Sequence, residues 1–66
     1  MRITHNGAPI ETEAPTLESF LTALLGPLPP GCAVAVNGEV VPRAGIADRA
    51  LSDGDAIEVV TAVAGG

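Results

Sequence analysis

The sequence predicts an α+β domain in which one main helix packs on a mixed sheet of about five strands. Asn-Gly pairs at residues 6–7 and 37–38 are each flanked by short apolar runs, which is typical of hairpins with two-residue turns. Between them, apolar residues over 17–25 recur at helical spacing. A last alternating run, over residues 56–63, supplies the fifth strand.

The first hairpin extends over about residues 1–13. A two-residue turn at its Asn-Gly pair places Ile3 opposite Ile10 and Arg2 opposite Glu11. Opposite charges across two strands favour that register. The isoleucines then share the face that is expected to be buried.

The helix begins after Thr16, a plausible N-cap, and ends at Gly26-Pro27, where glycine terminates it and proline prevents its continuation. Its apolar positions lie three, four, seven and eight residues apart, as on one helical face. We expect the sheet to cover all of them. They are Leu17, Phe20, Leu21, Leu24 and Leu25.

The second half repeats the hairpin pattern over residues 33–41. A short helical turn is predicted within residues 44–51, with Ile46 and Leu51 pointing inward. The Asp-Gly-Asp sequence at 53–55 is typical of a turn and lacks the later ligands of a calcium loop.

Length, charge and cysteine content exclude several classes of protein. Sixty-six residues make a single domain, and no apolar run approaches the ~18 residues of a membrane helix. The single cysteine excludes an internal disulfide and favours the cytoplasm. A net charge of −5, with three arginines and no lysine, makes nucleic acid and anionic membranes poor partners and favours a basic docking surface.

Side chains that carry catalysis are scarce. His5 lies near a turn and is best interpreted as a partly exposed strand residue, and Cys32 as a buried or half-buried thiol. No cluster with metal-ligand spacing is evident, so we expect neither a metal site nor a bound cofactor.

The most informative segment is the tail, Ala64-Gly65-Gly66, which we expect to be flexible and to reach about 10 Å beyond the globule when extended. Glycines have no side chain, so they can thread a narrow channel in a partner. The terminal carboxylate is a poor electrophile at neutral pH, because it is ionised. It becomes reactive once it is joined to the α-phosphate of ATP as an acyl-adenylate. A sulfur donor can then displace AMP and leave a thiocarboxylate.

Taken together, these segments resemble the ThiS family of sulfur carriers in thiamine thiazole biosynthesis. The resemblance covers nearly the whole chain and rests on the Asn6 turn, Leu24-Leu25, Ala35-Val36-Asn37, Val40-Val41-Pro42-Arg43, Asp53-Gly54-Asp55 and Val63-Ala64-Gly65-Gly66. It implies the ubiquitin-like β-grasp fold, with the last strand beside the first. It further implies that a ThiF-type, E1-like enzyme adenylates Gly66 with ATP. Sulfur from cysteine, through a cysteine desulfurase, then forms a thiocarboxylate that supplies a ThiG-type thiazole synthase, without a metal or bound cofactor.

Three other functions remain open for a chain of this pattern. The small subunit of molybdopterin synthase shares the Gly-Gly end but has a Phe-Pro-Pro-Val-type sequence before it, where this chain has Val60-Thr61-Ala62-Val63. Protein-conjugating ubiquitin-like tags also end in Gly-Gly. An inert β-grasp interaction module would leave its tail unmodified.

A partner-docking face can be predicted from strand alternation. Ile57 and Val59 point inward in the last strand, so Glu58 and its even-numbered neighbours point outward. Arg43 could dock an acidic group of the partner or cap a backbone carbonyl. The predicted apolar patch comprises Ala35, Val40, Val60 and Ala62.

Overall fold

Five strands form one mixed sheet in the order β2-β1-β5-β3-β4, and one helix packs on it. The computed structural model describes residues 1–28 and 30–61. The elements are β1 (Arg2–His5), β2 (Ala8–Glu11), α1 (Leu17–Leu25), β3 (Cys32–Val36), β4 (Glu39–Val41), a 3-10 turn (Arg43–Gly45) and β5 (Ala56–Thr61). The α+β class and the sequence of elements are as predicted.

The first hairpin has the predicted register. Ile3 pairs with Ile10 and Arg2 with Glu11, and the Arg2 Nε lies 2.9 Å from the Glu11 Oε1. The residue Asn6 has a φ of 49°, and the glycine after it also has a positive φ, as a type I′ turn requires. The ion pair is exposed, so it supports the register more than it adds stability.

Helix α1 is fixed at both ends by local hydrogen bonds. The Thr16 side chain accepts from the Ser19 backbone, and the Ser19 hydroxyl lies 3.2 Å from the Thr16 nitrogen, which is a capping box. At the other end, Gly26 has a φ of 77° and its N–H donates to the Thr22 carbonyl at 2.9 Å. The predicted start and end of the helix are confirmed.

The helix does not bury its whole apolar stripe, so that prediction is wrong in its last turn. Leu24 and Leu25 are 39% and 49% exposed. Leu24 lies along a surface groove with Ile10 of β2. The buried core consists of Ile3, Leu17, Phe20, Leu21, Val34, Val36, Ile46, Leu51 and Ile57.

The segment between β4 and β5 closes the core from the side. Ile46 and Leu51 are buried, as predicted. Backbone bonds tie this segment to the start of α1, where the Leu17 N–H donates to the Arg49 carbonyl at 2.8 Å and the Leu51 N–H donates to the Pro15 carbonyl at 3.2 Å. These bonds position the helix on the sheet.

Strand β5 is the centre of the sheet. It runs parallel to β1, where His5 pairs with Ile57, and antiparallel to β3, where Val34 pairs with Val59. Ile57 is fully buried and Val59 is half-buried, as alternation predicted. The structure describes this strand to Thr61, so the last two residues of the predicted strand lie outside the described residues.

Candidate functional site

The central strand leads toward the residues that the sequence predicts to be modified. β5 is hydrogen-bonded on both sides, to β1 and to β3, and its last described residue is Thr61. The predicted modification site Gly66 and the tail residues Ala64 and Gly65 lie outside the described residues, and so does Ala62 of the predicted docking patch.

An apolar face lies on the side of the sheet opposite the helix. Val60 is 60% exposed and Val40 is 68% exposed, the two highest values among the large apolar side chains of the described residues. They lie on either side of β3, since Ala35 pairs with Val40 in β4 and Ala33 pairs with Val60 in β5, and the four residues line one surface depression. Directly opposed side chains in a sheet lie about 5 Å apart. We call Ala33, Ala35, Val40 and Val60 the valine face.

The structure brings together three of the predicted patch residues and adds one that sequence reasoning missed. Ala35, Val40 and Val60 share this face, and Ala33 completes it. Strand alternation could have predicted Ala33, because it is two residues from Ala35 and therefore points to the same side of β3.

A carboxylate borders the apolar surface. Glu58 is exposed, pairs with Ala35 and lies two residues before Val60 on the same side of β5. A negative group at the rim of an apolar patch favours a partner that carries a positive group there. The chain's net charge of −5 acts in the same direction.

Arg43 does not join the valine face. It lies on the helix side of the domain, where it lines a shallow groove with Glu18 and Leu21 of α1. Its Nη1 donates to the Leu28 carbonyl at 3.4 Å, which is a long carbonyl contact of the kind that the sequence left open. The structure therefore separates Arg43 from the other predicted docking residues.

His5 and Cys32 are too far apart to act together. His5 pairs with Ile57 on one side of β5, and Cys32 pairs with Thr61 on the other side. Four residues of strand separate these positions by about 13 Å along β5. The half-buried His5 ring contacts Phe20 edge to face, with centroids 6.2 Å apart. This arrangement does not form a Cys-His nucleophile pair.

Neither a metal cluster nor a membrane helix is present in the described part of the chain. Within residues 1–28 and 30–61, no three His, Cys, Asp or Glu residues come close enough to hold a metal ion. No helix there has the length and hydropathy needed to cross a bilayer.

Comparison with known proteins identifies the family. The model of the ThiS family matches residues 3–66, which is nearly the whole chain. This chain belongs to the ThiS family. ThiS-family proteins are small sulfur carriers that work with partner enzymes and do not catalyse reactions themselves.

Two solved structures support the same fold. The crystal structure of a thiamine biosynthesis protein (ThiS) from Geobacter metallireducens has a TM-score of 0.84 and 32% identity, with 100% of both chains covered. An NMR structure of a thiamine biosynthesis protein from the same organism has a TM-score of 0.74 and 30% identity, covering 100% of this chain and 88% of that one. The ubiquitin-like β-grasp fold implied by the resemblance is thus confirmed. No curated protein sequence matches this chain.

Proposed function

We propose that this ThiS-family chain carries sulfur as a thiocarboxylate on Gly66 for the formation of the thiazole of thiamine. The observation that carries the proposal is the family match, which extends through both terminal glycines to residue 66. The two solved structures of thiamine biosynthesis proteins, each about one-third identical to this chain, support the thiamine pathway over molybdenum cofactor synthesis or protein conjugation.

The proposed chemistry takes place on the carboxylate and not on a side chain. In the first step, a carboxylate oxygen of Gly66 attacks the α-phosphorus of ATP and pyrophosphate leaves. In the second step, the outer sulfur of a desulfurase persulfide attacks the acyl carbon and AMP leaves, which gives an acyl disulfide. A thiol then reduces this S–S bond, so that a thiocarboxylate remains and the thiol is oxidised to a disulfide. Activation is needed because an ionised carboxylate resists nucleophilic attack.

The chain itself contributes a surface that the partner enzymes recognise, and it presents Gly66 to them. A ThiF-type adenylyltransferase would catalyse the first step, a cysteine desulfurase would supply the sulfur, and a ThiG-type synthase would accept it. In this proposal the partner consumes the ATP, this chain binds no cofactor, and the reaction takes place in the cytoplasm.

The valine face is the surface that we propose to dock on these partners. Its four apolar side chains lie on β3, β4 and β5, and β5 is the strand that leads toward Gly66. Burial of exposed apolar side chains stabilises a complex by removing them from water. Glu58 at the rim would orient the complex by pairing with a basic residue of the partner.

ATP–pyrophosphate exchange with a ThiF-type enzyme tests the proposal. We expect the full chain to support exchange and a chain lacking Gly66 to support none, because the reacting carboxylate is displaced by one residue. The deletion should leave the urea midpoint unchanged, since the buried core of the described residues lies between Ile3 and Ile57. Exchange that persists without Gly66 would place the reaction elsewhere.

A further inference from the structure

Asn6 follows the last residue of β1, at the level where the neighbouring strand β5 extends beyond its pairing with β1. The backbones of the two strands pair only at Thr4 with Ala56 and at His5 with Ile57. The Asn6 N–H makes the last of these contacts, donating to the Ile57 carbonyl at 2.9 Å. The chain then turns away into β2. In the described structure, β5 residues after Ile57 therefore have no backbone partner from β1.

The side chain of Asn6 takes the place of the missing strand. Its Oδ1 accepts from the Val59 N–H at 2.9 Å, and its Nδ2 donates to the Val59 carbonyl at 3.3 Å. One side-chain amide thus extends the ladder by one step. Asparagine suits this position because it tolerates the φ of 49° and has both a donor and an acceptor. Glycine would keep the turn without the clamp, and aspartate would lose the donor.

The second Asn-Gly turn holds the opposite end of the same strand. The Asn37 Oδ1 accepts from the Ala56 N–H at 2.9 Å, and the Asn37 N–H donates to the Ala56 carbonyl at 2.8 Å. The Asn37 Nδ2 also donates to the Asp55 Oδ1 at 3.0 Å. The two turns share the Asn-Gly sequence and each binds a β5 N–H through its asparagine Oδ1, but Asn37 also donates to the Asp55 carboxylate, and only Asn6 holds the end of β5 that leads to the tail.

We propose that Asn6 is a positioning residue for the activation of Gly66. With its amide in place, β5 is held from both sides at this step, by Asn6 at Val59 and by β3, whose residue Ala33 pairs with the next residue, Val60. Without it, the strand after Ile57 is held from the β3 side alone, and the direction in which it leaves the sheet is less defined. This inference rests on the proposed function, because it assigns Asn6 a role in presenting the reactive end.

The test compares Asn6→Gly with its matched control Asn37→Gly. Both substitutions keep a residue that tolerates positive φ and remove a side-chain oxygen that binds a β5 N–H, and Asn37→Gly also removes the donor to Asp55. By amide hydrogen exchange, measured relative to the Leu21 amide in the helix, Asn6→Gly should accelerate exchange at Val59 by about tenfold or more. Asn37→Gly should act at Ala56 instead. Unchanged exchange at Val59 would show that the clamp does not hold the strand.

The kinetics of adenylation distinguish a positioning role of Asn6 from a general effect on the stability of the fold. With a ThiF-type enzyme, we expect kcat/KM for the carrier to fall about tenfold in Asn6→Gly and less than about twofold in Asn37→Gly. Equal losses in the two variants, or normal adenylation of Asn6→Gly, would overturn the inference. A wild-type chain that is not adenylated would instead overturn the proposed function and, with it, the role of Asn6.

A second substitution, Asn6→Asp, keeps the inference testable if Asn6→Gly fails to fold. Asn6→Asp keeps an oxygen that accepts from the Val59 N–H but places its other oxygen against the Val59 carbonyl, where the donor was. The same direction of change is expected in both measurements. An Asn6→Asp chain with wild-type exchange at Val59 and wild-type kcat/KM would contradict the proposed role.

Discussion

Asp55 is a buried carboxylate at the turn that precedes β5. Asp-Gly-Asp predicts a turn, and the structure has a turn there. The pattern does not indicate that Asp55 is only 7% exposed. Its carboxylate accepts from the Ser52 N–H at 2.8 Å and from the Asn37 side chain at 3.0 Å. Asn37 is eighteen residues away, so only the folded chain reveals this contact.

Removal of the Asp55 carboxylate should destabilise the fold. Asp55→Ala leaves the Ser52 N–H and the Asn37 amide without their acceptor, which costs about 1–3 kcal/mol in the free energy of unfolding. Urea denaturation measures the loss. The exposed Asp48 provides the control, since Asp48→Ala should change stability by less than about 0.5 kcal/mol. Equal effects of the two substitutions would contradict the structural role of Asp55.

The sequence predicted both ends of helix α1 correctly, but it did not predict how much of the helix's apolar face is buried. Thr16 and Gly26 cap it as the sequence indicated, because capping depends on neighbours in the chain. The apolar period also identified the correct face. The period could not show how much of that face the rest of the fold covers, and Leu24 and Leu25 are half-exposed despite their spacing.

Two leucines of the same helix should therefore respond differently to truncation. Leu21→Ala removes a side chain that is 1% exposed, and we expect a loss of about 2–5 kcal/mol in unfolding free energy. Leu25→Ala, at a position 49% exposed, should cost less than about 1 kcal/mol. Thermal or urea unfolding of the two variants provides the measurement. Similar losses would mean that the last helical turn is packed as tightly as the middle.

Local sequence patterns and the family resemblance predicted different features of the fold. Turn chemistry and alternation predicted the elements and the registers within both hairpins, since these depend on residues close in the chain. The central place of β5 between β1 and β3 came from the family resemblance, because pairing over more than fifty residues has no local signature. Alternation predicted which described residues share the valine face, except for Ala33. Alternation does not apply to Arg43, which begins a 3-10 turn and lies on the helix side of the domain.

The valine face provides a test at the scale of the molecule and its partner. Val60→Asp introduces a charge that must be desolvated in a complex, so we expect the KM of a ThiF-type enzyme for the carrier to rise about tenfold. Ala23→Asp makes the same change of charge on the exposed side of the helix and serves as the control. A KM that responds equally to both substitutions would exclude the valine face as the docking surface.

The most direct measurement of the central claim is the intact mass of the purified chain after incubation with ATP, a ThiF-type enzyme, a cysteine desulfurase, cysteine and a thiol reductant. The account predicts a mass increase equal to the replacement of one oxygen by one sulfur. Fragmentation should locate this change at Gly66, and omission of ATP should abolish it. A chain whose mass stays unchanged under these conditions, or that gains sulfur at Cys32 instead, would contradict the account.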